Sequence, residues 1–409
     1  MSAGRVDIVV QKTQNMFYLI CFVILLVLAI LNVQMHDRLS TQVLTGISAL
    51  LLIGIAGLRY ETGGDWDAYE KLFRHFPPFS RLTGEPSLLL KQPVEEGFAL
   101  LCALVKSLGG TVQHLFFVVT TINITLIASA AGKYTKYPVV ALLCYYGILY
   151  FNLEMIYIRQ ATAVALCFYA VQYIRSERLL PYLLFVLLAC TFHRVSALMI
   201  PLYFVLNVKL PGWVYLTVVG VGAVVMLAGI PWIQTIFLTV AGWLGENYAD
   251  KAETYTENAM FAVSRGLSVG FILNLAIFAV IMYFHRSIDE LPYGTIMLNM
   301  FTLSLVLYYY CFELVEVSNR VRLFFLIGII ALLPMVLEVL PLFLERLAGL
   351  VVVTLYCFSF SRGIFMESPQ AVAYNPYQNY IEYKIHPRPS SGKQRLEQSK
   401  KAFRQERKR

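Results

Sequence analysis

Charged residues are scarce in this chain, and the short motifs of several common enzyme classes are missing. Asp, Glu, Lys and Arg together make up 14% of 409 residues, whereas hydrophobic residues make up 58%. This composition excludes an ordinary soluble domain and is typical of an integral membrane protein. The sequence has no Gly-rich phosphate loop, no HExxH zinc motif and no GxSxG nucleophile motif. We therefore expect no nucleotide, no metal ion and no other cofactor.

Cysteine is also sparse, and its spacing suits neither metal binding nor redox chemistry. Each of the seven cysteines lies singly within an apolar run, and no CxxC spacing occurs. Cysteines in such positions are usually small apolar packing groups. We predict this role for Cys21, Cys102, Cys144, Cys167, Cys190, Cys311 and Cys357.

Long apolar runs recur along the whole chain. At roughly 20 residues for each helical crossing, they predict an all-α polytopic membrane protein with about ten to twelve transmembrane helices. Some segments are expected to be short or re-entrant, because Phe98–Val105 is too short to cross and Leu179–Leu206 is interrupted halfway. The first run follows Arg5 and Lys12 without a cleavage site, which predicts a retained span. The runs are Met16–Val33, Val43–Leu58, Leu115–Ala131, Val139–Phe151, Ile156–Ile174, Leu179–Leu206, Val214–Ile230, Leu267–Phe284, Ile296–Phe312, Val321–Leu344 and Ala348–Phe360.

The polar segments predict a multi-span membrane domain over residues 1–360. Within it, loop 59–96 is slightly acidic, and we predict that it faces outward. The segment 231–264 contains Trp232 and Trp243 and resembles an interfacial element with aromatic anchors.

A basic tail over residues 361–409 accounts for the positive charge of the chain. It holds eleven Lys and Arg against four Asp and Glu, a surplus of seven out of the net charge of +8. A basic tail after a final span predicts the cytoplasmic side and contact with anionic lipid headgroups. Nucleic acid is not expected as a partner, since no aromatic residues are interleaved with the basic ones. Because the candidate site residues all precede Tyr383, we expect truncation after Tyr383 to leave the chemistry intact.

The stretch from Arg59 to Glu70 places polar and aromatic groups directly after an apolar run. Gly63-Gly64 is expected to break the preceding helix, and Asp65 can cap a new one in which Trp66 and Tyr69 share a face. Arginine can bind phosphate oxygens in a forked geometry, an aromatic face can stack on a pyranose ring, and an aspartate can accept a proton from a hydroxyl. The alternative is a helix cap with a solvated, salt-bridged turn.

Two further motifs place charge inside apolar segments. Arg159 lies four residues into an apolar helix, where an unpaired charge costs about 2.5–3.5 kcal/mol. No acid lies three or four residues before it, so we favour binding of an anionic substrate group over a snorkelling or paired arginine. His193-Arg194 interrupts Leu179–Leu206, either at mid-depth of one helix or where two half-helices turn. A buried structural histidine is the alternative there.

A late segment carries Glu313, Glu316 and Arg320 on one helical face. Glu316 precedes Arg320 by four residues, the favoured orientation for an ion pair, so structural pairing is the default interpretation. Arg322 is then left without an obvious partner.

Three short motifs follow one another at the ends of apolar runs, namely Arg59-x-x-x-Gly63-x-Asp65-Trp66-x-x-Tyr69, Ile158-Arg159-Gln160-x-x-Ala163 and Ala189-x-x-Phe192-His193-x-x-Ser196-Ala197. In this order they resemble the EpsG family of Wzy-like polysaccharide polymerases. Two later elements, Asn319-Arg320 and Asn375-Pro376-Tyr377, are similar to the closing elements of that family. The resemblance covers most of the membrane part, whereas the basic extension after Tyr383 departs from the family pattern.

The resemblance implies a bacterial inner-membrane enzyme whose active site faces the periplasm or exterior. Such a polymerase joins oligosaccharide repeat units carried on undecaprenyl diphosphate. The growing chain leaves its lipid diphosphate and is transferred to a sugar hydroxyl on the next lipid-linked unit. The implied partners are this lipid-linked oligosaccharide, membrane lipids, a chain-length regulator and a flippase.

This chemistry needs groups that hold the diphosphate charge and a base for the acceptor hydroxyl. We predict Asp65, His193 and Arg159 as catalytic residues, with the base left open between Asp65 and His193. Arg59, Arg159 and Arg320 are predicted to hold diphosphate, and Trp66 and Tyr69 to stack on sugar. The predicted substrate-binding residues are Arg59, Tyr60, Trp66, Tyr69, Glu154, Gln160, Arg194, Ser196, Arg320, Arg322 and Tyr377.

Two other classes of protein stay open. A membrane glycosyltransferase with a lipid-monophosphate sugar donor would also use an outward acid after an early span, but it would transfer single sugars. A flippase or exporter of lipid-linked sugars would use the same arginines only for binding. Only the polymerase would produce a ladder of lengthening products.

Overall fold

The computed structural model describes residues 16–84 except 36, residues 94–230, six positions between 232 and 243, and residues 267–406 except 367, 369, 370 and 388. All regular structure in these residues is helical, with one isolated antiparallel bridge between Arg59 and Asn379. The predicted interfacial segment 231–264 lies mostly outside the described residues. The chain divides into two compact units, one formed by residues 1–203 with 333–409 and the other by residues 204–332.

The first unit contains helices from before and after the second unit in the sequence. It also has a π-helical turn at Tyr146–Tyr150 and 3-10 turns at Arg194–Met199, Pro201–Tyr203 and Ala371–Ala373. Its helices up to residue 203 are α1 (Phe17–Gln34), α2 (Arg38–Gly57), α3 (Trp66–His75), α4 (Phe79–Gly84), α5 (Glu96–Ser107), α6 (Val112–Tyr134), α7 (Pro138–Tyr145), α8 (Phe151–Met155), α9 (Ile158–Ala170), α10 (Gln172–Arg175) and α11 (Leu179–Cys190).

The second unit contains α12 (Gly212–Ala228), α13 (Val269–Tyr283), α14 (His285–Glu290), α15 (Gly294–Tyr310) and α16 (Val315–Leu326). Helix α17 (Ile329–Val339) includes the boundary between the units. The chain then continues in the first unit with α18 (Phe343–Phe365), α19 (Tyr380–Ile385) and α20 (Gly392–Glu406).

Six helical segments in the described residues are long and apolar enough to cross a membrane. Four shorter apolar helices of 10–17 residues accompany them. A multi-span, all-helical membrane protein is therefore confirmed, but the predicted number of ten to twelve spans is not. The six segments are Phe17–Gln34, Arg38–Gly57, Val112–Tyr134, Pro138–Met155, Val317–Val339 and Phe343–Phe365.

The span Pro138–Met155 forms the core of the first unit, since nearly all of it is buried. Pro138 occupies the first turn, where its missing N–H costs no hydrogen bond. The buried tyrosines of this span have partners for their hydroxyl groups: Tyr146 donates to the carbonyl of Tyr18 (2.9 Å) and Tyr150 to that of Leu52 (2.5 Å). These bonds satisfy polar groups that would otherwise be unpaired in an apolar surrounding.

Helices α2 and α6 run antiparallel, and their ends define two ends of the first unit. Gly57 of α2 packs on Phe117, near the start of α6, and Arg59 follows directly. We call this end the Arg59 end. The opposite end, where Arg38 starts α2 and Lys136 follows α6, we call the Lys136 end.

Helix α5 starts and finishes at the Arg59 end. The backbone N–H of Gly97 donates to the carbonyl of Thr191 (2.8 Å), while Nζ of Lys106 donates to the carbonyls of Arg74 (2.8 Å) and Phe76 (2.6 Å). With 12 residues, α5 is about 18 Å long, well short of a hydrocarbon core of about 30 Å. The structure thus has the short, non-crossing helix that the sequence predicts over Phe98–Val105.

The basic tail packs against the Arg59 end. Arg395 donates from Nη1 to the carbonyl of Pro376 (2.8 Å) and from Nη2 to that of Glu61 (3.3 Å). Leu396 is buried in the same apolar cluster as Trp66. The tail therefore lies on the same side as loop 59–96. Its charge predicts the opposite side. The reason is distance: positive charges determine topology within about 15–20 residues of a span, and only Lys384 meets this condition after Phe365.

Candidate active site

The loop between α2 and α3 is held by the segment that follows the last span. Tyr60 N–H donates to the carbonyl of Gln378 (2.8 Å), and Gly63 N–H donates to that of Ala373 (3.0 Å). Gly63 has φ of +104°, a conformation that residues with a Cβ rarely adopt. Helix α2 ends at Gly57, six residues before Gly63, and α3 begins at Trp66, so the helix ends before the predicted break at Gly63-Gly64.

Arg59 is enclosed at the base of this loop, with 1% of its surface exposed. Nη1 donates to the carbonyl oxygen of Glu154, and the guanidinium lies 4.5 Å from the centre of the Phe116 ring. Nε and Nη2 have no hydrogen-bond partner among the described residues. These two nitrogens form the edge of the guanidinium that can bind two oxygens of one phosphate. Buried N–H groups without an acceptor cost free energy. An oxygen of a bound ligand would supply the missing acceptor for Nε and Nη2.

We expect Arg59→Lys to abolish most activity, although it conserves the charge. A lysine keeps a point charge but loses the planar guanidinium. That group contacts Glu154 and Phe116 at the same time and still presents two donors side by side. Polymer formation and thermal stability in detergent should be measured on the same preparation. Near wild-type polymerisation by the lysine variant would show that Arg59 acts only as a buried charge.

Asp65 occupies the N-cap position of α3, but its side chain makes no capping hydrogen bond. Burial is the main cause of the raised pKa of the Tyr69 and Tyr374 phenols, and the nearby Asp65 carboxylate raises both further. The simple cap alternative therefore lacks its defining contact. A chemical role for the carboxylate stays a prediction.

Trp66 and Tyr69 share one face of α3, but they differ in access. Trp66 is 3% exposed and packs in an apolar cluster with Phe98 and Ile158. Its ring is covered by neighbouring side chains, and the predicted stacking on sugar stays a prediction. Tyr69 is half-buried, with its ring 5.9 Å from Phe98 and in contact with Arg159. Helical spacing alone does not show which of two neighbouring aromatics is covered.

Glu95 joins the two motifs around Arg159 and His193. Its Oε2 lies 2.5 Å from Nη1 of Arg159, and its Oε1 lies 3.3 Å from Nδ1 of His193. The partners are 64 and 98 positions away in sequence. Arg159 is therefore paired, and the expectation of an arginine without an acid is corrected. That expectation considered acids only within one turn of the same helix, whereas Glu95 comes from the turn before α5.

The pKa of Glu95 identifies which group in this cluster stays charged. Partial burial disfavours the carboxylate, but hydrogen bonding from His193 and the backbone and the charge of Arg159 outweigh it and lower the pKa to about 2. Glu95 is thus ionised at neutral pH, and it is a weak proton acceptor. Its chemistry is that of an anchor for two cationic or proton-donating groups.

The interruption at His193 is a real end of a helix. Helix α11 ends at Cys190 and is followed by 3-10 turns, which agrees with the alternative of a turn at this point. Gly97 fixes the turn against α5, because a Cβ at Gly97 would lie 2.2 Å from Oγ1 of Thr191. Of the neighbouring predicted residues, Arg194 is exposed and pairs with Glu96 at 3.4 Å, and Ser196 is buried.

The remaining predicted residues of the first unit are mostly committed to the fold. Buried Glu154 accepts from the Tyr145 hydroxyl (2.6 Å) and from Nδ2 of Asn123 (3.1 Å). Gln160 is buried. The Tyr377 hydroxyl donates to the carbonyl of Ile55 (3.0 Å), and Tyr60 stacks on Tyr383 with ring centres 4.0 Å apart. These contacts support the Arg59 end, and the predicted binding roles of these residues stay predictions.

The two late arginines belong to the second unit. Arg322 is buried with its guanidinium 4.6 Å from the centre of the Tyr308 ring, so the absence of a partner predicted from sequence is corrected. Arg320 is exposed. The side chain of Glu316 lies outside the described residues, and the predicted ion pair with Arg320 stays a prediction.

The helices and the cluster at the Arg59 end together define a multi-span membrane protein with a polar site built from several span ends. The family model of the EpsG family matches residues 42–383, and the chain belongs to that family. Membership identifies a membrane protein of the polysaccharide-polymerase type, as the three motifs predict. Comparisons with curated proteins and with solved structures find no match.

Proposed function

We propose that this protein joins oligosaccharide repeat units carried on undecaprenyl diphosphate. The observation that carries the proposal is the Glu95 carboxylate, which bridges Arg159 and His193 where several helices end. Arg159 can stabilise negative charge, His193 can transfer a proton, and the Glu95 carboxylate fixes both side chains. Transfer of a glycosyl group from a diphosphate needs these two functions at one place.

The leaving group is served by the two arginines at this end. The acceptor oxygen bonds to the anomeric carbon, the bond from that carbon to the diphosphate oxygen breaks, and the bonding electrons leave with the lipid diphosphate. Arg159 and the Nε–Nη2 edge of Arg59 stabilise the charge that develops there. Phe116 and Tyr69 connect the two, since Arg59 lies over Phe116 and Tyr69 contacts both Phe116 and Arg159.

The proton of the acceptor hydroxyl passes to a base, for which His193 is our first choice and Asp65 the second. In the tautomer in which Nδ1 donates to Glu95, Nε2 is the basic nitrogen of His193. Glu95 then fixes the ring orientation and stabilises the imidazolium that forms. Asp65 keeps a carboxylate at the start of α3 that does not serve as a cap.

The proposed orientation places the Arg59 end on the outer side of the inner membrane. The short connections at the opposite end carry Lys133, Lys136, Arg175 and Arg178. An excess of Lys and Arg in short loops is typical of the cytoplasmic side. The family motifs at Arg59, Arg159 and His193 then face outward together.

Incubation of the purified protein with a lipid-linked repeat unit tests the proposal. A polymerase yields a ladder of lengthening lipid-linked products. Addition of one sugar from a lipid-monophosphate donor would support the glycosyltransferase alternative instead. Transport of the lipid-linked unit across vesicles without any new glycosidic bond would support the flippase alternative.

Substitution of Asp65 by Asn separates a chemical role from a structural one. Asp65 makes no capping hydrogen bond that the variant could lose, and Asn has nearly the same size, so we expect normal expression and thermal stability. If Asp65 is the base, the ladder should fall by about 100-fold or more, and His193→Gln should retain more activity. The reverse order, with Asp65→Asn active and His193→Gln inactive, assigns the base to His193, which is the result that we expect.

A further inference from the structure

A second site lies at the Lys136 end of α2 and α6, away from the proposed active site. It is an open cavity of about 730 Å³ between the two helices. Helix α2 has 20 residues, so Arg38 at the rim of this cavity lies about 30 Å along the helix from Arg59. The lining residues are Met35, Asp37, Arg38, Thr41, Gln42, Thr45, Gly46, Ala49, Thr125, Ala128, Ser129, Gly132, Lys133, Thr135, Lys136, Tyr137 and Pro138.

The wall of the cavity is a groove made by small residues on both helices. A Cβ at Gly46 or at Gly132 would meet no atom within 4 Å. The space beside these glycines is therefore open, and no neighbouring helix of the described chain fills it. Such a groove accommodates an extended hydrocarbon chain against the helix backbones.

The rim of the cavity is cationic. Arg38 is exposed and makes no hydrogen bond or ion pair with the described residues. Lys136 is also exposed, and Lys133 contributes a third cation while its Nζ bonds Gln172 Oε1. The single acid of the lining, Asp37, accepts from the N–H of Ser40 (2.7 Å). Nearby Glu338 accepts from Thr135 Oγ1 (2.5 Å) and from the Lys136 N–H (2.7 Å).

We propose that this cavity binds an anionic glycerophospholipid, with its phosphate headgroup at Arg38 and Lys136 and an acyl chain along Gly46 and Gly132. Basic pockets between transmembrane helices are suited to anionic headgroups. The volume is in the range of small-molecule sites. A second copy of this chain fits less well, because a twofold contact through this patch would bring its cations against each other.

The full-length protein in detergent is titrated with dioleoyl phosphatidylglycerol or dioleoyl phosphatidylcholine, and bound lipid is counted by native mass spectrometry. We expect phosphatidylglycerol to bind the wild type about tenfold more tightly, and Arg38→Gln with Lys136→Gln to remove this preference. Gly46→Leu with Gly132→Leu should block binding of both lipids at this site. Gly220→Leu is the matched control, since a Cβ at Gly220 also meets no atom within 4 Å.

Arg38 makes no hydrogen bond or ion pair with the described residues, so we expect its glutamine variant to fold normally. Equal binding of both lipids by the wild type, or an unchanged lipid preference in the rim variants, would overturn the proposal. A dimer that dissociates in the Gly46 and Gly132 variants would assign the groove to a second copy instead. Displacement of the lipid by inorganic phosphate alone would show that the groove contributes nothing.

Discussion

Glu95→Gln should reduce ladder formation by about 100-fold or more, which is the range for loss of general acid–base catalysis. The carboxylate accepts from Arg159 on one oxygen and from His193 on the other. A glutamine has one oxygen and one NH₂ group, so either Arg159 or His193 would face the NH₂ group, which is itself a donor. Either His193 loses its orientation or Arg159 loses its anchor. Each loss separates the proton-transfer group from the group that holds the diphosphate.

Glu96→Gln is the matched control for this variant. Glu96 is the next residue, and its partner Arg194 is 80% exposed at a distance of 3.4 Å. Exposed ion pairs contribute about 0–1 kcal/mol, so activity and thermal stability should stay near those of the wild type. Equal loss of product in both variants, or in neither, would contradict a specific role for Glu95. Stability in detergent should be measured for both, because a misfolded Glu95 variant would show an early melting transition.

The sequence reveals the arginines and the histidine of this cluster but not the acid that joins them. Arg159 and His193 stand out because charge is rare and costly inside an apolar run. Glu95 lies in a polar loop, where a carboxylate is ordinary. Its importance depends on a tertiary contact across 64 and 98 residues, and no local period encodes such a contact.

The apolar runs predict the fold class well and the number of spans poorly. Hydrophobicity indicates that a segment is buried in lipid or protein, but it does not show whether that segment crosses the membrane. Helix α5 has 12 residues and returns to its own side, and α11 also has 12 residues yet connects the Lys136 end with the Arg59 end. Two helices of equal length thus follow different paths, and α5 includes Glu96 and Lys106 whereas α11 has no charged residue.

The position of the basic tail is also not predicted by its composition. Its charge predicts a solvated segment on the side of the cytoplasm. In the structure, Gly392, Arg395 and Leu396 lie on one buried face of α20. A buried arginine is rare without partners, and the backbone carbonyls that receive Arg395 come from distant segments. Composition therefore identifies the charge of the tail but not its docking site.

Truncation after Tyr383 should strongly reduce polymer formation, contrary to the expectation from sequence. It removes Leu396 from the cluster around Trp66 and removes the two hydrogen bonds that Arg395 makes with Glu61 and Pro376. It also removes Ser390, whose hydroxyl donates to the Glu61 carboxylate. Loss of one buried leucine alone costs about 1.5–3 kcal/mol. A lower melting temperature should therefore accompany the loss of product.

Glu61 links the tail to the candidate site, which is why we expect truncation after Tyr383 to lower activity. Its φ of +44° is uncommon for a residue with a side chain, and contacts from the tail hold it in that conformation. Glu61 lies between Arg59 and Asp65, so relaxation there would move both. Truncation after Ser399 is the control, because it removes Lys400–Arg409, with six of the eleven Lys and Arg of the tail, but keeps Arg395 and Leu396. We expect that shorter truncation to polymerise normally. If both truncated proteins are active, the docked tail has no role in positioning the site. If both are inactive, the final ten residues carry the function, through their charge and not through the contacts of Arg395 and Leu396.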